Sequence, residues 1–494
     1  MISNQPAPLR RTSLAAVAAC MILVASIHGC SPRSGARGTP QPEGPPNVVI
    51  YLIDALRYDR LGINGFSAGP ISPRIDALAD QSVVFDQAYS CAPWTVPSVT
   101  SLLTSTYPCE HQVFVNGQKL DPSLRTIAER MKAAGYTTIA RFSNPLLNAV
   151  PGLERGYDVY EYSGGDIVTE IARFLEDAPT GRPYYLYLHT IEPHDPVVTP
   201  DEWLPDGGRV DAETRTEMGE LKRRYSGLTR ADFDAKRPLG TIDNTEEQQK
   251  ALTRFSELRH AIDFLYSASV RRADEGVGRM VDMLKARGAW DRTLFILLAD
   301  HGEELGDHGG WFHEHSVYEE LIHVPLIVHF PRGEFAGRRV DETVTLADIL
   351  PTVQDCARGS NWSGRGRSLV KLLADGSPPA ARGPIVTTMR VNRKKYYRPY
   401  KETRGDINLV IRDRTWKGIW NLEPGTFELY DLRRDPGEHF DVSARNEGVV
   451  GSMRRSAAAW LNRCRQSAVN AGDATDVVLN DEMIEALRAM GYIQ

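Results

Sequence analysis

Three unbroken runs of apolar residues lie along the chain, and each leads into acidic or histidine residues. The runs are Val48–Ile53, Tyr184–Leu188 and Thr293–Leu298. Such β-prone runs are typical of strands that are buried on both faces of a sheet. The residues that follow them are Asp54, then His189, Glu192 and His194, then Asp300 and His301. Because ligands of parallel α/β sheets bind beyond the carboxyl ends of the strands, we expect these side chains to converge on one site.

Helical periodicity lies between the apolar runs. It covers residues 122–134, which end at Gly135, and residues 248–287, where apolar residues recur at helical spacing. Strands that alternate with helices predict an α/β fold with a mostly parallel central sheet flanked by helices.

After Pro351 the pattern changes to short alternating runs. Residues 408–412, 416–420 and 427–432 predict a smaller C-terminal antiparallel sheet, which a helix from about 480 to 490 would close. We therefore assign residues 47–380 to a catalytic domain and 381–494 to a C-terminal subdomain. The polar stretch 197–247 predicts either a solvated loop or a lid insertion that shapes substrate choice.

The front of the chain has the composition of an export signal. Arg10 and Arg11 precede fourteen apolar or small residues, Leu14–Ile27, and Gly29-Cys30 follows shortly after. This run is too short for a bilayer core of about 30 Å, so we predict that residues 1–30 are a signal peptide of lipoprotein type. Residues 31–46, rich in proline and glycine, predict a linker. We expect an exported protein, periplasmic or at the cell surface, that contacts the membrane only through a lipid anchor on Cys30.

Composition narrows the class of protein further. The 494 residues are 41% apolar and 25% charged, which is the ordinary globular mix. A net charge of −6 argues against nucleic-acid binding through bulk electrostatics. Beyond the linker the cysteines are Cys91, Cys109, Cys356 and Cys464, without the spacing of a zinc site or a disulfide scaffold. An exported location permits one or two disulfides without demanding them.

Histidines concentrate in one short segment. Six of the twelve, at positions 301, 308, 313, 315, 323 and 329, fall within 29 residues. Imidazole and carboxylate groups together suit divalent metals, so we predict that Asp300 and His301, set at a strand end, ligate a metal. For His308, His315 and His329 we expect the simpler role of surface residues in a polar loop.

Thr95 has two interpretations. It fits the N-cap of a helix whose first turn holds Pro97, and a capping role would explain it fully. A hydroxyl at a helix amino terminus also lies at the positive end of the helix dipole, which stabilises an alkoxide or a bound oxyanion. An adjacent metal would lower its pKa further and make it a nucleophile.

Several motifs resemble those of the sulfatases of the alkaline phosphatase superfamily. In chain order they are Asn47-Val-Val-Ile-Tyr-Leu-Ile-Asp54, Thr95-x-Pro-Ser-x-x-x-Leu-Leu-Thr-x-x-Tyr-Pro108, Ala299-Asp-His-Gly-Glu303, His313-x-x-Ser-x-Tyr318-Glu-Glu, Val324-Pro-Leu-Ile327, Glu428-Leu-Tyr-Asp-Leu432 with Asp435-Pro436, and Ala486-Leu-Arg-Ala-Met-Gly-Tyr492. The resemblance covers nearly everything after the linker. It implies an α/β fold with a smaller C-terminal sheet, and a metal-dependent hydrolase of sulfate or phosphate esters.

Two positions depart from the sulfatase pattern. Sulfatases of this type carry Cys-x-Pro-x-Arg, whose cysteine or serine becomes formylglycine, whereas here Thr95 stands at that position and Val99 at that of the arginine. Ala55 follows Asp54 where a second aspartate is usual. A threonine cannot become formylglycine, and threonine at this position resembles the nucleotide pyrophosphatase and phosphodiesterase branch.

That resemblance implies specific roles. Asp54, Thr95, Asp300 and His301 would hold one metal, and His313 with Glu192 a second. His194 would lie near the leaving group or the metal, and Asn116 would contact the transferred group. One or two divalent ions, Zn²⁺, Mn²⁺ or Ca²⁺, would suit these ligands.

The function expected from the sequence is cleavage of a phosphate (di)ester or sulfate ester through a Thr95 nucleophile. The alternatives are a sulfatase that works without formylglycine, a transferase of phosphoryl-linked groups, and a non-catalytic glycan-binding lipoprotein. The expected partner is a small-molecule, glycan or lipid ester, and not nucleic acid.

Overall fold

The computed structural model describes residues 44–114, 116–177, 181–225, 245–358, 362–375, 386–389, 407–422 and 425–469. The strands are β1 (Asn47–Ile53), β2 (Val83–Phe85), β3 (Ala88–Tyr89), β4 (Thr137–Phe142), β5 (Val159–Tyr162), β6 (Tyr184–Thr190), β7 (Thr293–Leu298), β8 (Glu304–Leu305), β9 (Trp311–Phe312), β10 (Leu326–His329), β11 (Arg338–Val340), β12 (Val344–Thr345), β13 (Val386–Met389), β14 (Ile407–Arg412), β15 (Trp416–Asn421) and β16 (Phe427–Asp431). The α-helices are α1 (Pro73–Ala79), α2 (Thr95–Thr104), α3 (Pro108–His111), α4 (Ile127–Ala133), α5 (Ile167–Asp177), α6 (Ala212–Tyr225), α7 (Thr245–Ala286), α8 (Glu319–Ile322), α9 (Ile349–Arg358), α10 (Leu369–Asp375) and α11 (Glu447–Ser467).

An eight-stranded sheet forms the centre, in the order β11-β2-β10-β7-β1-β6-β4-β5. Strands β7, β1, β6, β4 and β5 run parallel, whereas β10 runs antiparallel to its neighbours. Every residue of β1 and β7 is buried, as their unbroken apolar runs predicted. Ile50 of β1 lies between Tyr187 and Ile296, so the carboxyl ends of these three strands are level with one another.

Helices flank this sheet, and the predicted mostly parallel α/β fold is confirmed. Helices α1, α5 and α6 contact the long helix α7, while α2 and α4 contact α9. The predicted helix over 248–287 matches α7, and α4 begins at Ile127 because Thr126 caps it with Glu129. No helix within the described ranges is long and apolar enough to cross a membrane.

The C-terminal sheet has the antiparallel order β13-β14-β15-β16, and the predicted small sheet is therefore present. Helix α11 packs against β14 and β15, and the Cys109–Cys464 disulfide joins it to α3 across 355 residues of sequence. The helix predicted at about 480–490 lies outside the described residues, as do residues 1–43, which contain the predicted signal peptide.

A buried charge network links the C-terminal sheet to helix α8 and strand β3. Lys417 of β15 is fully buried, and its Nζ lies 2.7 Å from Glu438 Oε1 and 3.1 Å from Glu319 Oε1. The hydroxyl of Tyr89 donates to the other carboxylate oxygen of Glu319. Arg412 lies over the Tyr89 ring at 4.6 Å from its centroid.

Candidate active site

The carboxyl ends of β7, β1 and β6 bring polar side chains together, as the apolar runs predicted. Asp54 follows β1, Asp300 and His301 follow β7, and His189 lies near the end of β6. All four residues are fully buried. His189 Nε2 lies 3.0 Å from Asp54 Oδ2, so neighbouring strands are joined by a direct contact.

Asp54, Asp300 and His301, which we call the ligand cluster, are spaced as metal ligands. Each offers one ligand atom, and these atoms all lie within 4.8 Å of one another. His301 Nε2 is 3.3 Å from Asp54 Oδ1 and 3.6 Å from Asp300 Oδ2. Among the described residues these two carboxylate oxygens, although buried, have no hydrogen-bond partner. His301 Nδ1 lies 2.8 Å from the Gly302 carbonyl oxygen, so as donor it leaves the Nε2 lone pair for a metal.

The electrostatics of the ligand cluster favour a cation. Burial opposes ionisation of Asp54, but the nearby His194, His189 and His301 together hold its pKa well below the usual value. Burial, together with the charge of Asp54, raises the pKa of Asp300 to about 6. Burial alone would lower the pKa of His301, but the two aspartates raise it to about 10. Two buried carboxylates without access to water favour a bound cation. A divalent ion that accepts oxygen and imidazole ligands would suit this site.

Local backbone geometry holds the ligand cluster in place. Ala55 has φ 56, in the left-handed region that costs a non-glycine residue energy. Its amide lies 3.4 Å from Asp300 Oδ1, and its carbonyl oxygen accepts from the Tyr266 hydroxyl at 2.7 Å. A Cβ on Gly302 would lie 2.0 Å from the Glu320 carbonyl oxygen, so only glycine fits after His301.

Thr95 is the first residue of α2, and the predicted N-cap role is wrong. Trp94 occupies the cap position, and no side chain caps this helix. The buried Thr95 hydroxyl instead faces the ligand cluster, with Oγ1 at 3.3 Å from His301 Nε2 and 3.4 Å from Asn144 Nδ2. Because the helix begins at Thr95 itself, the Thr95 side chain is not placed as an N-cap, where it would accept from the backbone amides of the first turn.

Asn144 is a site residue that the sequence analysis missed. Its Nδ2 donates to Asp54 Oδ2 at 2.6 Å, and its Oδ1 accepts from the Leu146 amide. Asn144 lies just beyond the carboxyl end of β4, two residues after Phe142, but no unbroken apolar run marks this strand in the sequence. The predicted Asn116 lies in a turn, where its Oδ1 is buried and lacks a hydrogen-bond partner within the described part of the chain. The role of Asn116 stays a prediction, while Asn144 is the amide that contacts Thr95.

Three histidine rings form one side of the site. The ring of His313 lies 4.5 Å from that of His301 and 4.9 Å from that of His194, centroid to centroid. Burial lowers the pKa of both His194 and His313 well below the usual value. His313 Nδ1 lies 2.9 Å from Glu303 Oε1, and burial raises the pKa of this glutamate to about 7.

Glu303 is a carboxylate that contacts His313, whereas Glu192 was predicted to share a metal with it. Glu192 is half-buried, and its charge adds to burial in raising the pKa of Tyr51. Among the described residues, Glu192 is absent from the groups that are spaced as metal ligands. A second metal on His313 and Glu192 therefore stays a prediction.

The remaining histidines of the segment do not lie on the surface, contrary to expectation. His315 is 6% exposed, with Nε2 at 2.6 Å from Glu304 Oε2, and His329 is 2% exposed, with Nδ1 at 3.0 Å from the Gln81 carbonyl oxygen. His308 lies 2.7 Å from Glu320 Oε1, and this carboxylate outweighs burial in raising its pKa to about 9. The loop after β7 is held by buried pairs of imidazole and carboxylate, because carboxylates at 304 and 320 offer partners that the sequence pattern does not reveal.

Comparison with known families decides the class of the protein. The sulfatase family matches residues 46–360, more than half of the chain, and the C-terminal region of N-sulphoglucosamine sulphohydrolases matches residues 306–456. The chain belongs to the sulfatase family. As its motifs indicated, the protein is an ester hydrolase of the alkaline phosphatase superfamily.

Known relatives align with most of this chain at low sequence identity. An arylsulfatase of Clostridium perfringens is 23% identical, over 80% of this chain and 89% of the relative. A choline-sulfatase of Rhizobium meliloti is 24% identical, over 91% and 93%. A multifunctional alkaline phosphatase superfamily protein of Trinickia caryophylli is 23% identical, over 84% and 95%.

Among solved structures, the phosphonate monoester hydrolase of Agrobacterium radiobacter has a TM-score of 0.65 at 21% identity, covering 88% of this chain and 98% of its own. The phosphonate monoester hydrolase of Silicibacter pomeroyi has a TM-score of 0.63 at 21% identity, over 85% and 96%. These similarities show the fold. Enzymes of the sulfatase family typically bind a divalent metal ion, and in this chain the buried ligand cluster offers residues that fit one.

Proposed function

We propose that this sulfatase-family hydrolase cleaves a phosphate diester or sulfate ester with Thr95 as its nucleophile. The observation that carries the proposal is the position of Thr95 Oγ1, buried at the amino terminus of α2 and 3.3 Å from His301 Nε2 of the ligand cluster. Serine and cysteine are the residues that become formylglycine, so the threonine hydroxyl must act unmodified.

In this proposal each side chain has one task. Thr95 Oγ forms the new bond to phosphorus or sulfur while the ester oxygen departs, and water then cleaves the Thr95 ester. Asp54, Asp300 and His301 would hold a divalent cation, which supplies charge that lowers the pKa of the Thr95 hydroxyl. The Asn144 amide and the free amides at the start of α2 stabilise charge on the transferred group. His194 supports the departing oxygen.

The relatives' names keep a sulfatase reaction as the second candidate. Arylsulfatase and choline-sulfatase name sulfate esters, whereas the threonine favours phosphoryl transfer. The deciding measurement is kcat/KM on matched aryl sulfate, phosphate monoester and phosphate diester with the metal-loaded protein. A hundredfold preference for the diester, about 2.7 kcal/mol of transition-state discrimination, supports phosphodiesterase activity. The opposite preference means that Thr95 transfers a sulfuryl group directly.

A variant pair tests the nucleophile itself. Thr95→Ala removes the attacking oxygen and should abolish turnover without unfolding the protein. Thr100→Ala is the matched control, because this hydroxyl lies in the same buried helix but donates to the Val96 carbonyl oxygen. Full activity of Thr95→Ala would refute the proposal.

We also propose that the protein is exported and carries a lipid on Cys30. The disulfide between Cys109 and Cys464 supports an oxidising compartment, where such bonds persist. Mass spectrometry of the mature amino terminus, with Cys30→Ser as the comparison, tests the anchor. An unmodified Cys30 in membrane fractions would contradict it.

A further inference from the structure

Lys222 is a buried cation close to the candidate active site. It lies in the last turn of α6 and is 3% exposed. Its Nζ donates to the carbonyl oxygen of His194 and lies 3.4 Å from Asp195 Oδ1. The same nitrogen lies 5.4 Å from the centroid of the Phe312 ring.

Both oxygens that Lys222 contacts belong to the turn that carries His194. Burying an ammonium group costs several kcal/mol unless hydrogen bonds and an opposite charge offset that cost. Here the offset comes from the backbone of His194 and the carboxylate of the next residue. The strongest local interactions of Lys222 therefore fix the backbone from which the His194 side chain projects.

His194 lies among the histidines of the site, with its ring centroid 4.9 Å from His313 and 6.5 Å from His301. The positive charge of Lys222 also influences the pKa of side chains in this group. After burial, it is among the causes that lower the pKa of His194 and His313, and it opposes the rise in the pKa of Glu303. Lys222 is thus part of the electrostatics of the site although α6 belongs to the polar segment 197–247.

We propose that Lys222 is a positioning residue that holds His194 in place to support the departing oxygen. This inference rests on the proposed function, in which His194 acts at the leaving group. It assigns to α6 a part in catalysis, since a lysine of this helix fixes the backbone that carries His194. A shift of about 1 Å in such a group can cost about a hundredfold in rate.

A leaving-group series separates positioning from a merely structural role. We would compare kcat/KM of the full-length metal-loaded protein and its Lys222→Met variant on aryl esters whose phenols span a wide range of pKa. If Lys222 acts through His194, the loss should reach about a hundredfold for the poorest leaving group and stay below about threefold for the best. A uniform loss across the series would overturn the inference.

Three further variants complete the test. Lys222→Arg keeps a cation and should restore most of the activity on poor leaving groups. In a His194→Ala background, Lys222→Met should cause little further loss, because both changes remove the same function. Lys285→Met is the matched control, since Lys285 also lies over an aromatic ring, Trp290, and donates to Gln81, but is exposed on α7.

A measurement without turnover keeps the inference testable on its own. In protein labelled with ¹³C-histidine, the ring signal of His194 is the one lost in His194→Ala. It should move in Lys222→Met and stay unchanged in Lys285→Met; an unmoved signal in Lys222→Met would overturn the inference. Full activity of Thr95→Ala would instead refute the proposed function, whereas an inactive Thr95→Ala with a uniform effect of Lys222→Met refutes this inference alone.

Discussion

Replacing Lys417 with methionine should destabilise the protein more at neutral pH than in mild acid. Burial opposes ionisation of Glu319, but Lys417 and Arg412 hold its pKa down at about 2. Burial raises the pKa of Glu438 to about 7, so this carboxyl is already partly protonated at neutral pH. Glu319 is therefore the carboxylate that loses most when the ammonium group is removed.

The size of the effect follows from the cost of neutralising Glu319. In the variant, burial raises its folded-state pKa above the ordinary 4.5, and a raised pKa costs stability only as the pH rises above the unfolded-state value. Since each pH unit corresponds to about 1.36 kcal/mol, this cost is at most about 3.4 kcal/mol at pH 7 and about 0.7 kcal/mol at pH 5. The variant also loses the attraction that lowers the wild-type pKa, and that loss is nearly equal at both pH values because both lie above 4.5. Arg412, whose Nε lies 3.6 Å from Glu319, offsets part of the total. We therefore expect the loss at pH 7 to exceed the loss at pH 5 by about 2 kcal/mol.

Urea unfolding at the two pH values, followed by circular dichroism and tryptophan fluorescence, measures this difference. Lys285→Met should lose less than about 0.5 kcal/mol at either pH, because an exposed lysine contributes little. An equal loss for Lys417→Met at pH 5 and pH 7 would refute the electrostatic reasoning and point to packing alone. A loss below about 1 kcal/mol at pH 7 would show that Glu319 finds another partner.

Three further predictions concern the disulfide, the site amide and the metal. Cys109→Ser should lower the free energy of unfolding by about 3–6 kcal/mol, because the bond closes a 355-residue loop. In urea unfolding, the reduced wild type should be as unstable as this variant. If Cys109→Ser were as stable as the oxidised wild type, the bond would be excluded. Asn144→Ala should lower kcat/KM by about 10²–10³, as for loss of one transition-state donor, in steady-state assays on the preferred ester; a change below about threefold would remove Asn144 from the mechanism. Dialysis against a chelator should abolish turnover and lower Tm, with activity regained on adding a divalent ion, and Asp300→Asn should retain less metal by elemental analysis; unchanged metal content would disqualify the ligand cluster.

Strands that are apolar on both faces could be predicted from unbroken apolar runs in the sequence, whereas strands that carry polar residues could not. Strands β1, β6 and β7 stood out because the centre of the sheet excludes water from either side, and their ends located Asp54, Asp300 and His301. Strand β4 carries Thr137, Thr138 and Arg141, which break the apolar run. Asn144 at its end was missed for this reason.

Long-range pairings were beyond the reach of local patterns. The four cysteines after the linker gave no hint that Cys109 pairs with Cys464, because the fold brings them together across 355 residues. Helix α6 looked like a loop because few of its side chains are apolar, and Met218 and Lys222 are the described ones that it buries. From sequence alone, a lysine on the inward face of a helix is predicted to be solvent-exposed, because its hydrogen-bond acceptors are brought near only by the fold.

Thr95, the proposed nucleophile, and the residues that would hold the cation belong to separate parts of this protein. Thr95 enters from the start of a helix, whereas the ligand cluster rests on strand ends and on contacts from Asn144 and His189 to Asp54. A different side chain at position 95 would leave the contacts of Asn144 and His189 with Asp54 unchanged. One framework can thus accept different side chains at position 95, so that the chemistry of group transfer can diverge while affinity for the cation is preserved.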